Sequence, residues 1–377
     1  MKIGIISLVL HSNYGGILQS YALQTVLERM GHEVVVLTKD RRIRVSVKKH
    51  LRSFLSVILR NYIIRSDVKV KSYLQNEKER KLIEQHTSSF ISKYINTRTL
   101  QKLDIDALKG LDAVVVGSDQ VWRTIYFKDH WKTGIEDAFL RFAEGKPFKR
   151  IAYAASFGTD EWEYTDEETK MCTKLLKQFD AVSVREATAV KLCTNKLSYP
   201  HAHHVLDPTL LLTKEDYIKL VNSSNSNPSK GGMMCYVLDM DTNKQGLIER
   251  ISKERGLRPF YANSKYEDRK APLNERIQPP VEQWLRGFMD AKFVVTDSFH
   301  ACIFSIIFGK PFLVISNKNR GESRFLSMLD MLSLRKNLII NTDEYDSSID
   351  YSIPNETYEK LEQKREQSRA FLTKSLS

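Results

Sequence analysis

Residues Ala291 to Gly309 read A-K-F-V-V-T-D-S-F-H-A-C-I-F-S-I-I-F-G. Lys292 to Thr296 is a short apolar, β-branched run, the pattern of a strand buried on both faces. Asp297 and Ser298 are both good N-caps, and Ala301, Phe304, Ile307 and Phe308 then recur at helical spacing. Strand, cap and helix in that order build a parallel α/β sheet and place His300 in the first turn of a helix at a strand's carboxyl end. Ligands of open α/β sheets bind in that crevice. The helix N-terminus there favours an anion and pushes a nearby imidazole towards neutrality. Two readings of His300 follow. It is a general acid or base facing an anionic substrate, or a core histidine satisfied by a backbone carbonyl.

A chain of 377 residues is long for one core, so two domains are expected. With 42% apolar and 10% aromatic residues, the composition is that of an ordinary globular protein. Cys172, Cys193, Cys235 and Cys302 are scattered, without a C-x-x-C pair, and read as reduced, space-filling thiols. The opening M-K-I-G-I-I-S-L-V-L leads into H-S-N-Y-G-G without a small-residue cleavage site, so it reads as a first buried strand. No run of about 20 apolar residues is present to span a membrane. The net charge of +12 is concentrated: between Lys39 and Lys71 eleven Lys and Arg face only Asp40 and Asp67, a net +9. The remainder carries +3, which argues against a nucleic-acid-binding body.

In chain order, Lys2 to Val9 is a strand, His11 to Gly16 a loop, and a helix with Leu18, Ala22, Leu23, Val26 and Leu27 on one face runs to Met30. Glu33 to Leu37 completes a βαβ unit. Its turn is not the dinucleotide fingerprint, so no nicotinamide cofactor is expected. Asn13, Gly15 and Gly16 are candidates for close backbone approach to a ligand, or simply for a tight turn. Between Arg41 and Arg65, Val47, Leu51, Phe54, Leu55, Ile58 and Tyr62 share a helical face. Lys48, Lys49, Arg52 and Arg60 lie opposite, with Leu59 and Ile63 intruding. This suits an anionic membrane surface, or a helix packed on its own domain with a solvated basic face.

Asp112 to Val116 is a strand ending in Gly117-Ser118-Asp119, with Ser118 and Asp119 placed for ligand contacts or for capping the next helix. The strand over 180–184 delivers Arg185, a fixed cation suited to a carboxylate or phosphate, or to a surface pair with Glu186. His201, His203 and His204 lie in an extended link beside Pro200 and lack the spacing of a metal site. The second half carries strands near 233–238, 259–262, 292–296 and 311–315, and a βα turn holding Arg324 before a helix from Leu326. The expected units are 1–200, with a basic helical insertion over about 41–96, then 201–354, and a final helix over 355–377 that crosses back to the first unit. The fold expected is α/β, with two Rossmann-like domains facing across a cleft.

Six stretches then come together: N-Y-G-G-I-L-Q-S-Y-A-L-Q (13–24), V-V-V-G-S-D-Q-V-W (114–122), V-S-V-R-E (182–186), L-D-P-T (206–209), T-D-S-F-H-A-C-I-F-S-I-I-F-G-K-P-F (296–312) and G-E-S-R-F (321–325). In this order they resemble the polysaccharide pyruvyl transferase family. The resemblance implies a fold similar to double-Rossmann (GT-B) glycosyltransferases. It also implies transfer of a pyruvyl group from phosphoenolpyruvate to two hydroxyls of a galactose- or mannose-type sugar, giving a cyclic ketal and phosphate without a cofactor or metal. Family members look like R-L-H at the key position, whereas Ser298 stands two residues before His300 here. Donor charge then falls to Arg185 and Arg324, or the branch uses another donor. His300 is the expected acid and Asp119 the group that steers or deprotonates a hydroxyl. Asn13, Gly15, Gly16, Ser118 and Ser298 complete the expected donor and acceptor site. The family's acceptors imply capsular or exopolysaccharide precursors on polyprenyl diphosphate, reached from the cytoplasm at the inner face of the membrane through residues 41–71. A nucleotide-sugar glycosyltransferase is the alternative with the same architecture.

Overall fold

A computed structural model of the chain describes residues 1–41, 47–59, 71–317 and 321–377. Arg60, Tyr62 and Ile63 of the basic stretch and residues 318–320 of the last βα turn lie outside these, as do the side chains of Val47, Lys48 and Ile58.

The first half opens with β1 (Lys2–Ile6), α1 (Tyr14–Arg29) and β2 (Glu33–Lys39). Three helices follow: α2 (Val47–Ile58), α3 (Tyr73–Ile83) and α4 (Gln85–Tyr94). Then come β3 (Thr97–Leu100), β4 (Ala113–Val116), α5 (Thr124–Trp131), β5 (Lys149–Ala155), α6 (Asp166–Leu176), β6 (Ala181–Val184), α7 (Ala187–Leu197) and β7 (His203–His204). All pairings are parallel, in the order β3-β2-β1-β4-β5-β6-β7. Apart from the seventh strand, this is the doubly wound order that reverses direction between β1 and β4. Ile5 sits at the centre, in register with Val36 on one side and Val115 on the other. Because β7 pairs with β6, the first sheet runs past position 200 to His204.

The second half contains α8 (Lys214–Asn222), β8 (Met233–Tyr236), α9 (Thr242–Arg255), β9 (Pro259–Tyr261), α10 (Leu273–Arg276) and α11 (Val281–Asp290). It continues through β10 (Phe293–Thr296), α12 (Phe299–Phe308), β11 (Phe312–Ile315), α13 (Glu322–Met331) and β12 (Leu338–Ile339). Its parallel sheet has the order β12-β11-β10-β8-β9 and reverses between β8 and β10. The helix expected from Leu326 starts at Glu322. Gly321 takes φ 92° before it, and an acidic residue in the first turn suits the helix dipole.

Side chains join the halves. Tyr14 Oη donates to Pro279 O at 2.7 Å, and Gln278 Nε2 donates to Ser12 O at 2.9 Å. Arg29 forks onto both oxygens of Asp216 at 3.0 and 2.7 Å. The last helix, α14 (Asn355–Leu376), packs on β5 of the first sheet, with Phe371 against Tyr153. Its Arg365 donates to Leu210 O and Leu212 O, and Arg369 to Leu211 O. The four cysteines are free and buried, and burial pushes the Cys193 and Cys235 thiols up to about 12.

Candidate active site

The two reversal points face each other. After β1 the chain runs through His11 to Gly16, and after β4 through Gly117 to Gln120. Opposite them lie Leu238 after β8 and Asp297 to His300 after β10. Between these loops is a cavity of about 310 Å³, lined by Asn13, Gly15, Gly16, Asp119, Ser298, His300 and Arg324 among others. Seven residues expected from the sequence thus line one cleft. Ser118 and Arg185 stand behind it.

Each is held for a local reason. Asn13 caps α1: its Oδ1 accepts from Gly15 N at 3.0 Å and Gly16 N at 3.4 Å. The two amides expected to meet a ligand are therefore already occupied. Gly15 is needed for another reason, since a Cβ there would lie 2.0 Å from His300 Nδ1. The imidazole lies directly against the glycine of the opposite half. Ser298 caps α12, with Oγ accepting from Ala301 N at 3.5 Å. The amides of Phe299 and His300 begin that helix, where no intrahelical carbonyl reaches them.

His300 is 8% exposed, so it is buried but at the cavity edge. Its Nε2 lies 3.7 Å from Asp207 Oδ2 and has no hydrogen-bond partner. Asp207 lies in the L-D-P-T stretch, to which the sequence reading assigns no role. It opens the turn that follows β7, where Asp-Pro signals only a capped turn. Its Oδ2 accepts from Arg185 Nη1 at 2.7 Å, and its Oδ1 from Thr209 N and Oγ1 at 3.0 and 2.6 Å. Burial works to raise the Asp207 carboxyl, but His300 and Arg185 outweigh it and hold it well below the ordinary carboxylate range.

Arg185 is 3% exposed and its charge is answered inside the protein. Besides Asp207, Nη2 stands 3.7 Å from Asp119 Oδ1, and Nη1 reaches Gln19 Oε1 at 3.5 Å. Burial opposes the charge, yet Asp207, Asp119 and Glu186 together raise its pKa. The surface pair with Glu186 considered from the sequence does not form. Glu186 turns inward, accepting from Ser156 Oγ at 2.7 Å. Among the described residues Arg324, in the first turn of α13, is the arginine that lines the cleft. Burial and then the nearby Arg185 push its pKa down to about 10. Both guanidiniums lie against the Phe299 ring, 4.8 and 5.0 Å from its centre. Ser118 Oγ donates to Ala154 O at 2.9 Å, and its carbonyl accepts from Ser7 Oγ at 3.0 Å, so Ser118 ties β1, β4 and β5 together.

Two further histidines line the cavity without a warning in the sequence. His11 and His130 pack ring to ring at 5.3 Å. Burial, with Arg41 and His130 nearby, pushes His11 down to about 3, and burial also lowers His130. Both are neutral at pH 7. His130 Nδ1 accepts from Val9 N at 3.1 Å, which leaves Nε2 as the protonated nitrogen.

This cleft has a family. The polysaccharide pyruvyl transferase model matches residues 13–319, most of the chain, with His11 and Arg324 of the cleft outside it. The protein belongs to the polysaccharide pyruvyl transferase family. It is accordingly a transferase, and its family places it in polysaccharide synthesis. A search of curated proteins finds no matching relative. Similar solved structures include Arabidopsis thaliana UGT89C1 with UDP-L-rhamnose, at 11% identity and TM-score 0.47, covering 98% of this chain and 94% of that one. E. coli heptosyltransferase WaaC with ADP is similar at 12% identity and TM-score 0.38, covering 98% of this chain and 100% of that one. Among the described residues no three His, Cys, Asp or Glu side chains group as metal ligands, and no helix is long and apolar enough to cross a membrane. His203 packs on Phe371, while His204 Nε2 lies 3.1 Å from Arg185 O.

Proposed function

We propose that this transferase moves the pyruvyl group of phosphoenolpyruvate onto two hydroxyls of a galactose- or mannose-type sugar. The observation that carries the reading is the meeting, in one cavity, of a buried cation that lines it, Arg324, with His300 and Asp119. Phosphoenolpyruvate brings a carboxylate and a phosphate into a site that already holds Arg185 neutralised. Arg324, which lines the cavity, grips one of them, with the first amides of α12 for the other. Arg185 acts as a positioning residue, holding Asp207 and Phe299 in place.

The reaction needs a proton on the enol methylene while one sugar hydroxyl adds to the central carbon. Asp207 faces Nε2 of His300 and orients the ring, and His300 delivers the proton. Asp119 takes the proton of the attacking hydroxyl. Loss of phosphate leaves an oxocarbenium carbon, and the second hydroxyl closes the ketal, its proton leaving with the phosphate. Of the two hydroxyl protons, one ends on the new methyl group and one on phosphate. The neutral His11 and His130 offer a hydrogen-bonding wall for the acceptor. No metal or cofactor is required in this scheme.

The test is phosphate release from phosphoenolpyruvate with galactosides and mannosides, with the ketal methyl identified by NMR. Release that depends on the sugar, with a new methyl signal, supports the reading. Turnover of a nucleotide sugar, with phosphoenolpyruvate inert, would replace it by glycosyl transfer.

A further inference from the structure

The insertion between β2 and β3 plays no part in that chemistry, yet α2 turns its apolar side chains to solvent. Leu51 is 61% exposed, Phe54 57% and Leu55 55%, and Leu59, just past the helix, is 47% exposed. Helical spacing puts these four on one stripe and Val57 on the opposite side, and Val57 is the buried one. On the inner side Ser53 Oγ accepts from Tyr73 N at 3.3 Å, so α3 packs there, and Leu74 adds another exposed side chain at 61%. Arg52 is exposed at the flank of the stripe, and Lys49 is exposed further round the helix. Large apolar side chains gathered on a surface and rimmed by charge mark a docking site.

Charge identifies the occupant. The segment from Lys39 to Lys71 carries eleven basic residues against two acidic ones. A second copy of this face would set like charge against like. A nucleic acid would match the charge but leave Leu51, Phe54 and Leu55 without an apolar partner. An anionic lipid surface answers both, taking the stripe into its acyl boundary and attracting the segment's net positive charge to its headgroups. We propose that α2 docks this protein on an anionic membrane surface. The insertion is tied to the cleft wall: Gln278 N donates to Ile83 O at the end of α3 at 3.0 Å, and the Gln278 side chain holds Ser12 of the cleft loop. The proposal does not depend on which donor the cleft accepts.

Sedimentation with vesicles tests it. The full chain should sediment at low salt with mixed phosphatidylcholine–phosphatidylglycerol vesicles, be released by high salt, and ignore pure phosphatidylcholine. The triple variant Leu51→Ser, Phe54→Ser, Leu55→Ser should stay in solution with an unchanged circular dichroism spectrum. Lys49→Glu with Arg52→Glu should lower partitioning at least ~25-fold, since each basic residue near an anionic leaflet contributes roughly a factor of five. Wild type remaining in the supernatant with mixed vesicles at low salt overturns the proposal. So does a serine triple variant that sediments like wild type. A wild-type dimer in the ultracentrifuge that the serine variant abolishes, without vesicle binding, overturns it in favour of self-association.

Discussion

Two buried aspartates, one at the end of β10 and one after β7, are built alike and do different things. Asp297 is 0% exposed and Asp207 is 2%. Asp297 accepts from Leu238 N, Asp239 N, Lys244 Nζ and Asn317 Nδ2 at 2.6, 3.1, 2.9 and 3.3 Å. Its cation is in turn satisfied, because Lys244 Nζ also donates to Asp239 O at 2.7 Å. Asp207 has its own cation at 2.7 Å, but that network is left open. Arg185 Nε and Nη2 and His300 Nε2 are buried without hydrogen-bond partners. Buried polar atoms are normally paired, and each exception costs free energy. The saturated cluster joins β8, β10 and β11 at their carboxyl ends. The open one holds an imidazole at the cavity edge and the Arg185 guanidinium behind it.

Breaking the closed cluster should have the largest effect. Lys244→Met leaves Asp297 charged and buried, which costs about 3–5 kcal/mol. Urea unfolding should show this as a lower midpoint at unchanged slope. A loss below ~1 kcal/mol would mean that Asp297 is not the staple described here. The open cluster should respond in rate instead. His300→Ala should keep its circular dichroism spectrum and lose at least ~100-fold in kcat, the usual contribution of a general acid. Near-wild-type turnover would remove His300 from the chemistry.

Gly15 sharpens this further. Gly15→Ala places a methyl group where the imidazole stands, so the ring must move; we expect about a tenfold loss in kcat, since a displacement of about an ångström can cost tenfold to a hundredfold. In the His300→Ala background the same change should be nearly silent, because the two residues act as one unit. Equal losses in both backgrounds would mean that Gly15 serves the turn alone. The arginines divide in the same way. Arg324→Lys should raise the KM for phosphoenolpyruvate about tenfold with kcat little changed, because Lys cannot reproduce a bidentate fork. Arg185→Lys should act mainly on kcat and stability. Reversal of that split would put the donor against Arg185.

What was legible in the sequence follows from where the information lies. Short apolar runs ending in Gly, Ser or Asp mark the strands and their ligand-bearing ends, because parallel strands are buried on both faces. That is enough for two doubly wound sheets and for His300, Asp119 and Gly15 at their reversal points. The strands β3 and β7 escape this reading, since T-R-T-L and His203-His204 are polar edge segments held only by pairing. The partners of the charged residues escape it too. Arg185 reads as a free cation until the fold brings Asp207 against it, and the glycine amides read as open until Asn13 folds over them. His11 and His130 meet only because α5 lies beside the first loop.

A third aspartate, buried but paired with a half-exposed arginine, tests the comparison at its weak end. Asp216 on α8 receives the Arg29 fork from α1, and Arg29, helped by the Thr213 amide and hydroxyl against the effect of burial, holds its pKa down to about 2. An unfolded aspartate titrates near about 3.9. The folded state therefore binds fewer protons between these values, so the pair's stability is fully present above pH ~4 and is lost as pH falls towards 2. Arg29 is 54% exposed along its side chain, so solvent screens the interaction, and about 1 kcal/mol is a fair expectation. Arg29→Met should lower the unfolding free energy by that amount at pH 7, and the difference from wild type should shrink steadily below pH 4. A difference that persists unchanged at the acid end would mean that Arg29 stabilises by packing its methylene groups and not through its charge.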